Sequence, residues 1–272
     1  MENRLLLLIV LVVFFVVPCA SAEDNVFTST TALKEEAVRL RNEAVDVVTT
    51  PIDIKGYGLI GTLVTTGAVG LTYIFDADIR NELQGTKSSA LDTATDAGNI
   101  IGNPWIHLGI AGAVYGGGIL AGSPKWRETG EMLGEAAILA DAVSFVLKRA
   151  IGRSRPFVSG DKGSFTPFQF KSDYDSMPSM HTASSFAMAS VMRTTSENLL
   201  VKALYYSVAT FVGFSRMYQD KHWASDVVLG AAIGELCGRV VTRYHFCIDS
   251  VTIMGYFTTH SETCISTYWD AR

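Results

Sequence analysis

A chain of 272 residues with 48% hydrophobic content can bury one sizeable core or at most two small ones, so an intrinsically disordered protein is excluded. A net charge of -5, with no basic run longer than a pair, lacks the electrostatic footprint of a nucleic-acid-binding surface. Four cysteines without metal-ligand spacing exclude a disulfide-dense scaffold and a zinc module.

The N-terminus, "MENRLLLLIVLVVFFVVPCASAED", has a basic start at Arg4, an apolar run from Leu5 to Val17, and small residues Ala20, Ser21 and Ala22 before acids. This layout predicts a secretory signal over residues 1–22, cleaved after Ala22, and an extracytoplasmic (periplasmic or secreted) mature protein. An uncleaved anchor helix is the rival reading. Pro18 ahead of Cys19 argues against lipidation. Cys247 and Cys264 are placed to bond in an oxidising compartment, whereas Cys237 reads as a small buried hydrophobe.

Residues 23–56 form a lead-in, with an amphipathic helix from Ala32 to Val48 ending near Pro51. The main domain, 57–244, holds apolar segments at Tyr57–Phe75, Trp105–Gly122, Glu131–Leu147, Ala183–Met192, Leu199–Phe214 and Trp223–Val241. Between the first two, "DADIRNELQGTKSSALDTATDAGN" reads as an acidic, polar connection. The tail, 245–272, is rich in Thr, Ile, Tyr and Phe from Cys247 to Trp269 and predicts a short strand pair. The expected fold is therefore all-α, an antiparallel bundle of about six core helices with a short strand-like C-terminal tail.

Tyr57–Phe75 and Trp105–Gly122 are uncharged and near the roughly 20 residues that a membrane span needs. The other segments carry Glu131, Glu135 and Asp141, or Lys202, or Asp226, Glu235 and Arg239, all costly at mid-bilayer. Mean hydropathy is only +0.25. These features predict a bundle on the extracytoplasmic side, associated with the membrane through one or two hydrophobic helices.

Reactive residues gather at segment boundaries. "KRAIGRSRP" (148–156) ends one helix, "MPSMHTASS" (177–185) opens another with Ser179 as N-cap, and "SRMYQDKHWASD" (215–226) ends one and starts the next. In an antiparallel bundle these stretches share one end. Lys148, Arg155 and Arg216 supply fixed positive charge with little acid nearby except Asp226, and amides near Ser179 and Met180 add donors, so the natural guest is phosphate. His222 and Asp226, four apart, are able to touch if both lie on a helix. One imidazole, oriented by Asp226, can attack phosphorus and the other can protonate the leaving oxygen. No residue grouping suggests a metal, and three cations supply the charge stabilisation a metal otherwise gives.

Lys148, six residues, then Arg155-Pro156; Pro178-Ser179-Met180-His181; and Ser215-Arg216, five residues, His222, three residues, Asp226 resemble the three-part signature of the type 2 phosphatidic acid phosphatase and vanadium haloperoxidase superfamily. The signature covers about a third of the chain, and its combined parts are far more specific than any one of them. The resemblance implies that His222 is a nucleophile forming a phosphohistidine and that Asp226 fixes its orientation. It also implies that His181 is the general acid and that Lys148, Arg155, Arg216, Ser179 and the Met180 amide hold phosphate. The family usually has Gly where Met180 stands, which bears on amide geometry and pocket width. The implied activity is metal-independent hydrolysis of phosphate monoesters or pyrophosphates, with a phosphorylated lipid favoured over a small phosphate ester. No cofactor is expected, and vanadate is expected as an inhibitor. The alternatives are a soluble broad-specificity acid phosphatase and a haloperoxidase that uses vanadate as cofactor.

The loop "FVSGDKGSFTPFQFKSDYDS" reads either as a substrate-covering lid or as a packed surface loop. Gly230, Gly234 and Gly238 repeat every four residues from Asp226, which predicts close approach of a neighbouring backbone. His107 reads as a satisfied core histidine, His245 and His260 carry no role, and Lys221 and Arg149 are peripheral.

Overall fold

A computed structural model describes residues 30–54 and 57–254. The chain divides into two units, residues 1–41 and 42–272. Of the first, residues 30–41 are described, and they are helical, with Arg39 paired to Glu36 at 2.5 Å one turn away. The expected signal over 1–22 lies outside the described residues, as do Cys264 and His260.

The described helices are α1 (Thr30–Thr49), α2 (Gly58–Gly85), α3 (Ser89–Ile101), α4 (Pro104–Leu120), α5 (Pro124–Ile151), α6 (Pro156–Ser159), α7 (Met180–Met192), α8 (Leu199–Tyr218) and α9 (Ala224–Met254). Their ends follow local chemistry. Asn103 and Asn198 accept backbone N–H bonds from Trp105 and Leu200 as N-caps of α4 and α8, and Pro opens α4, α5 and α6. Gly152 ends α5 in the left-handed conformation, φ 62°, where a Cβ would lie 2.0 Å from the Thr166 carbonyl oxygen.

Helix α7 lies at the centre. It packs against α4, α5, α8 and α9, and Ala183, Ala187 and Val191 are fully buried. These side chains join Met132, Leu133, Ala136, Ala137, Ala140, Cys237 and Val241 from α5 and α9 in one core. Small residues dominate because the backbones approach closely. A Cβ on Gly234 would sit 2.1 Å from the Ala183 oxygen, and one on Gly230 would sit 2.5 Å from the Ser179 oxygen. The four-residue glycine period thus seats α9 directly on α7, as its spacing predicted. Gly234→Ala is expected to destabilise the fold by about 3 kcal/mol, a fall in Tm of about 10 °C, because backbone must move to admit the methyl. An unchanged melting curve would show that the two helices have more room than this packing allows.

Three expectations are corrected. Helix α2 runs ten residues past Phe75, and α3 is a further helix; both lie in the stretch read as a polar connection. α3 is amphipathic, with Leu91, Ala94, Thr95 and Gly98 turned inward, but it is only 13 residues long and its small inward residues are interleaved with Asp92 and Asp96, so it reads as part of an acidic stretch. Residues 245–254, expected to begin a strand-like tail, continue α9 as helix; 255–272 lie outside the described residues.

Helix α2 is long and apolar enough to cross a membrane, with a mean hydropathy of 1.5 over its best window, none of which is buried. Its apolar part exposes Leu63, Val64, Leu71 and Ile74. Its last third is different. Asp76, Arg80 and Gln84, four apart on one face, bind Ser225, Asp220 and the Tyr218 carbonyl respectively. This stripe holds the α8–α9 turn, in which Asp220 takes a left-handed φ of 61° with its carboxylate clasped by both arms of Arg80 at 2.6 and 2.7 Å.

Candidate active site

The three stretches singled out in the sequence meet at one end of the bundle. Lys148 sits in the last turn of α5, Arg155 immediately precedes α6, Ser179 and Met180 open α7, Arg216 lies in the last turn of α8, and His222 lies in the turn before α9. The loop before α7 binds them together. The Asp175 carbonyl accepts from Lys148 Nζ, the Asp175 carboxylate accepts from Arg155 Nε at 2.7 Å, and the next carbonyl, of Ser176, accepts from His222 Nδ1 at 2.7 Å. From the other side, Ser179 N–H donates to the Asp226 carbonyl at 3.0 Å.

The orientation of His222 differs from the expectation. Helix α9 begins at Ala224, so His222 is not one turn ahead of Asp226 on a helix face. Its Nδ1 stands 3.8 Å from Asp226 Oδ2, beyond hydrogen-bond range. The Ser176 carbonyl makes the bond instead. A carbonyl only accepts, so Nδ1 carries the proton and Nε2 keeps its lone pair. Asp226 organises the surroundings: Oδ2 accepts from Ser176 Oγ at 2.5 Å and from the Trp223 N–H at 2.9 Å, the acid half of a capping box for α9.

Ser179 is fully buried and stands at the N-cap position of α7, yet its hydroxyl accepts from Thr182 Oγ1 at 2.9 Å rather than from a backbone N–H. Met180 and His181 are half-buried in the first turn of α7. Arg216 donates through Nη1 to Asn99 of α3, and its Nε has no hydrogen-bond partner among the described residues.

Electrostatics follow from packing three cations and two imidazoles in a closed space. Burial pulls the Lys148 ammonium down to about 7, with Asp175 opposing and Arg155 reinforcing. Burial also lowers Arg216 to about 10, aided by Arg155. His181 is pushed down to about 2, first by burial and then by the charges of Arg216 and Lys148, and His222 lies well below its ordinary value by burial and by Lys148, Arg155 and Arg216. Asp226 is raised by burial, while Arg153 and the donors Ser176 and Trp223 pull the other way. The free site is thus two neutral imidazoles facing crowded positive charge, an arrangement that favours a multiply charged anion.

Sequence reasoning missed four contributors. Asp175 is an acid beside Lys148 and Arg155, where only Asp226 had been counted. Ser176 holds His222, Asn99 holds Arg216, and the fully buried Arg153 pairs with Asp226 at 2.7 Å. All except Arg153 lie in a loop or in the unrecognised helix α3, and Arg153 was masked by the neighbouring Arg155. The loop 157–176 leaves Phe168 and Phe170 exposed while its end supplies Asp175 and Ser176. His107 is the satisfied core histidine expected: its Nδ1 shares a hydrogen bond with Ser184 Oγ at 2.8 Å and burial lowers it to about 4.

Among the described residues, Glu43, Glu135 and His245 have ligand atoms within 4.8 Å of one another, a spacing compatible with a metal that the sequence reading did not foresee. His245 Nε2 lies 2.7 Å from Glu135 and Nδ1 lies 3.3 Å from Glu128. Glu135 is 13 residues from Lys148 on α5, about 20 Å at 1.5 Å per residue, so this grouping is no part of the phosphate site.

A helical bundle that gathers three cations and two histidines at one mouth is suited to holding a tetrahedral oxyanion. Residues 132–248 match the sequence profile of the PAP2 superfamily, and the chain belongs to that superfamily. It is 30% identical over 142 residues to a decaprenylphosphoryl-5-phosphoribose phosphatase of Mycobacterium tuberculosis, covering 50% of this chain and 69% of that protein. It is 32% identical over 180 residues to a lipid A 1-phosphatase of Porphyromonas gingivalis, covering 62% of this chain and 35% of that protein. The chain spans between 35% and 45% of the length of the lipid A 1-phosphatases it matches. A transmembrane PAP2 type phosphatidylglycerolphosphate phosphatase structure from Bacillus subtilis aligns with a TM-score of 0.49 at 16% identity, covering 77% of this chain and 97% of that one.

Proposed function

We propose that the protein is a metal-independent phosphatase of lipid phosphates that works through a phosphohistidine on His222. The observation that carries this reading is the His222 ring, fixed through Nδ1 with its Nε2 lone pair available beside Lys148, Arg155 and Arg216. The cations hold the phosphoryl oxygens and neutralise charge as it develops. Nε2 attacks phosphorus, the bond to the leaving oxygen breaks, and His181 delivers a proton to that oxygen. Water then attacks the phosphohistidine with His181 as base, phosphate departs, and the imidazole is restored. While phosphorylated, the ring is positively charged, and Asp226 at 3.8 Å stabilises it.

A bound phosphate dianion also offsets the cations that keep His181 neutral, so substrate itself brings that ring back toward protonation. Support for a lipid substrate comes from the exposed apolar helix α2 and from relatives named for lipid A and a decaprenylphosphoryl compound. Membrane association through α2, on the extracytoplasmic side, accords with the N-terminal sequence.

The test is phosphate release by purified protein from a lipid monophosphate in detergent micelles and from p-nitrophenyl phosphate, each with EDTA and with vanadate. The expected result is a faster lipid reaction, indifferent to EDTA and inhibited by vanadate. Loss of activity in EDTA that a divalent ion restores would overturn metal independence. Equal rates without detergent would favour the soluble broad-specificity alternative.

A further inference from the structure

Two groups face Nδ1 of His222, the Ser176 carbonyl at 2.7 Å and the Asp226 carboxylate at 3.8 Å, and both are anchored by one residue. The Arg153 carbonyl accepts the Ser176 N–H at 3.0 Å, and Arg153 Nη1 donates to Asp226 Oδ1 at 2.7 Å. We infer that Arg153, together with Asp76 of α2, is the positioning pair that sets the ring of the nucleophile, an inference that rests on the role proposed for His222.

The guanidinium cannot act as a further phosphate ligand, because its donors are already committed. Nη1 serves Asp226 and Ser225 Oγ, each at 2.7 Å; Nη2 serves Asp76 Oδ2 at 2.7 Å and the Lys162 carbonyl at 3.1 Å; Nε serves the same carbonyl at 3.2 Å. These bonds use all five N–H groups of the fork. The side chain is fully buried, with the rings of Tyr73, Trp223 and Phe165 at 5.0, 5.3 and 5.5 Å from its central carbon. Arg155 and Arg216, by contrast, act directly on both imidazoles of the site.

Asp76 completes the clamp from a different helix. Its Oδ1 accepts the Ser225 N–H at 2.9 Å, and its Oδ2 accepts Ser225 Oγ at 2.6 Å as well as Arg153. The first turn of α9, which carries Asp226, is therefore tied to α2 by one carboxylate and to the 149–155 segment by one guanidinium. A lysine has three donors on a single nitrogen and cannot span Asp76, Ser225, Asp226 and Lys162 together. Freed of the clamp, the first turn of α9 and the Ser176 carbonyl shift relative to each other, and the ring loses its fixed tautomer while phosphate binding persists.

The test compares Arg153→Lys and Asp76→Asn with wild type in full-length protein, by steady-state kinetics and by 15N NMR of the histidine rings. In folded variants kcat is expected to fall about 100-fold, the scale of an ångström-sized misplacement, with KM little changed. The His222 ring should pass from a single Nδ1–H tautomer to a mixture. Where Arg153→Lys does not fold, Asp76→Asn decides, because it is isosteric and leaves the Arg153–Asp226 pair in place. Folded variants with wild-type kcat and an unchanged ring tautomer would overturn the inference, as would a loss confined to KM. Wild-type protein that forms no phosphoenzyme would instead sink the functional reading, and the ring tautomer would still report on the clamp.

Discussion

His222→Ala is expected to lower turnover by about 10⁴-fold or more and to abolish any trapped phosphoenzyme, the scale of loss seen when a covalent nucleophile is removed. The reason is local. No other described side chain combines a lone pair directed by a fixed Nδ1–H bond with three cations acting on the same ring. His181, the only other imidazole under those cations among the described residues, lies in the first turn of α7 and has no equivalent orienting bond among those residues. Lys148 is lowered to about 7, but its Nζ donates to the Asp175 carbonyl and so is held as a donor. Removing the His222 ring leaves phosphate binding and charge stabilisation intact, so substrate should still bind while chemistry stops. The measurement is single-turnover trapping of an acid-labile, alkali-stable phosphoryl adduct, with circular dichroism to show the variant folded. Substantial hydrolysis by that folded variant would remove the proposed nucleophile.

The site was more legible in the sequence than the scaffold that orients it. Lys148, Arg155, Arg216, His181 and His222 carry chemistry in their side chains, and their spacing within three short stretches marks them without knowledge of the fold. The six apolar segments each fall on a described helix, but only those of α4, α5, α7, α8 and α9 pack together, while the apolar part of α2 stays exposed. What escaped was supplied by backbone or by small polar contacts. The group that fixes His222 is the carbonyl of Ser176, which every residue possesses and no pattern distinguishes. Helix α3, whose Asn99 holds Arg216, is short, and its inward face of Leu91, Ala94, Thr95 and Gly98 is hidden among Asp92 and Asp96 in an acidic stretch. The four-residue interval from His222 to Asp226 suggested a shared helix face. The helix begins at Ala224, and the interval instead places the carboxylate where it can cap α9 and brace Ser176. Asp76, Arg80 and Gln84 were legible as a helical stripe only once α2 was known to continue past Phe75.

His181→Ala is expected to lower kcat by about 10²- to 10⁴-fold on alkyl phosphates, and far less on p-nitrophenyl phosphate, whose leaving group needs no proton. Without bound anion His181 holds no proton until about pH 2, because burial and the charges of Arg216, Lys148, His107 and Arg155 all act in one direction. An acid that is neutral in the free site has to be charged by its substrate. A phosphate dianion seated among the cations reverses the sign of the local field and raises the imidazole. The pH dependence then divides: kcat/KM, which reports the free protein, should show no His181 limb near pH 6.5, whereas kcat should fall as pH rises through the raised value in the complex. His181→Ala should remove that limb from kcat. Equal losses on activated and unactivated esters would show that His181 supports the site by packing, and a kcat limb that survives the substitution would assign the proton to another group.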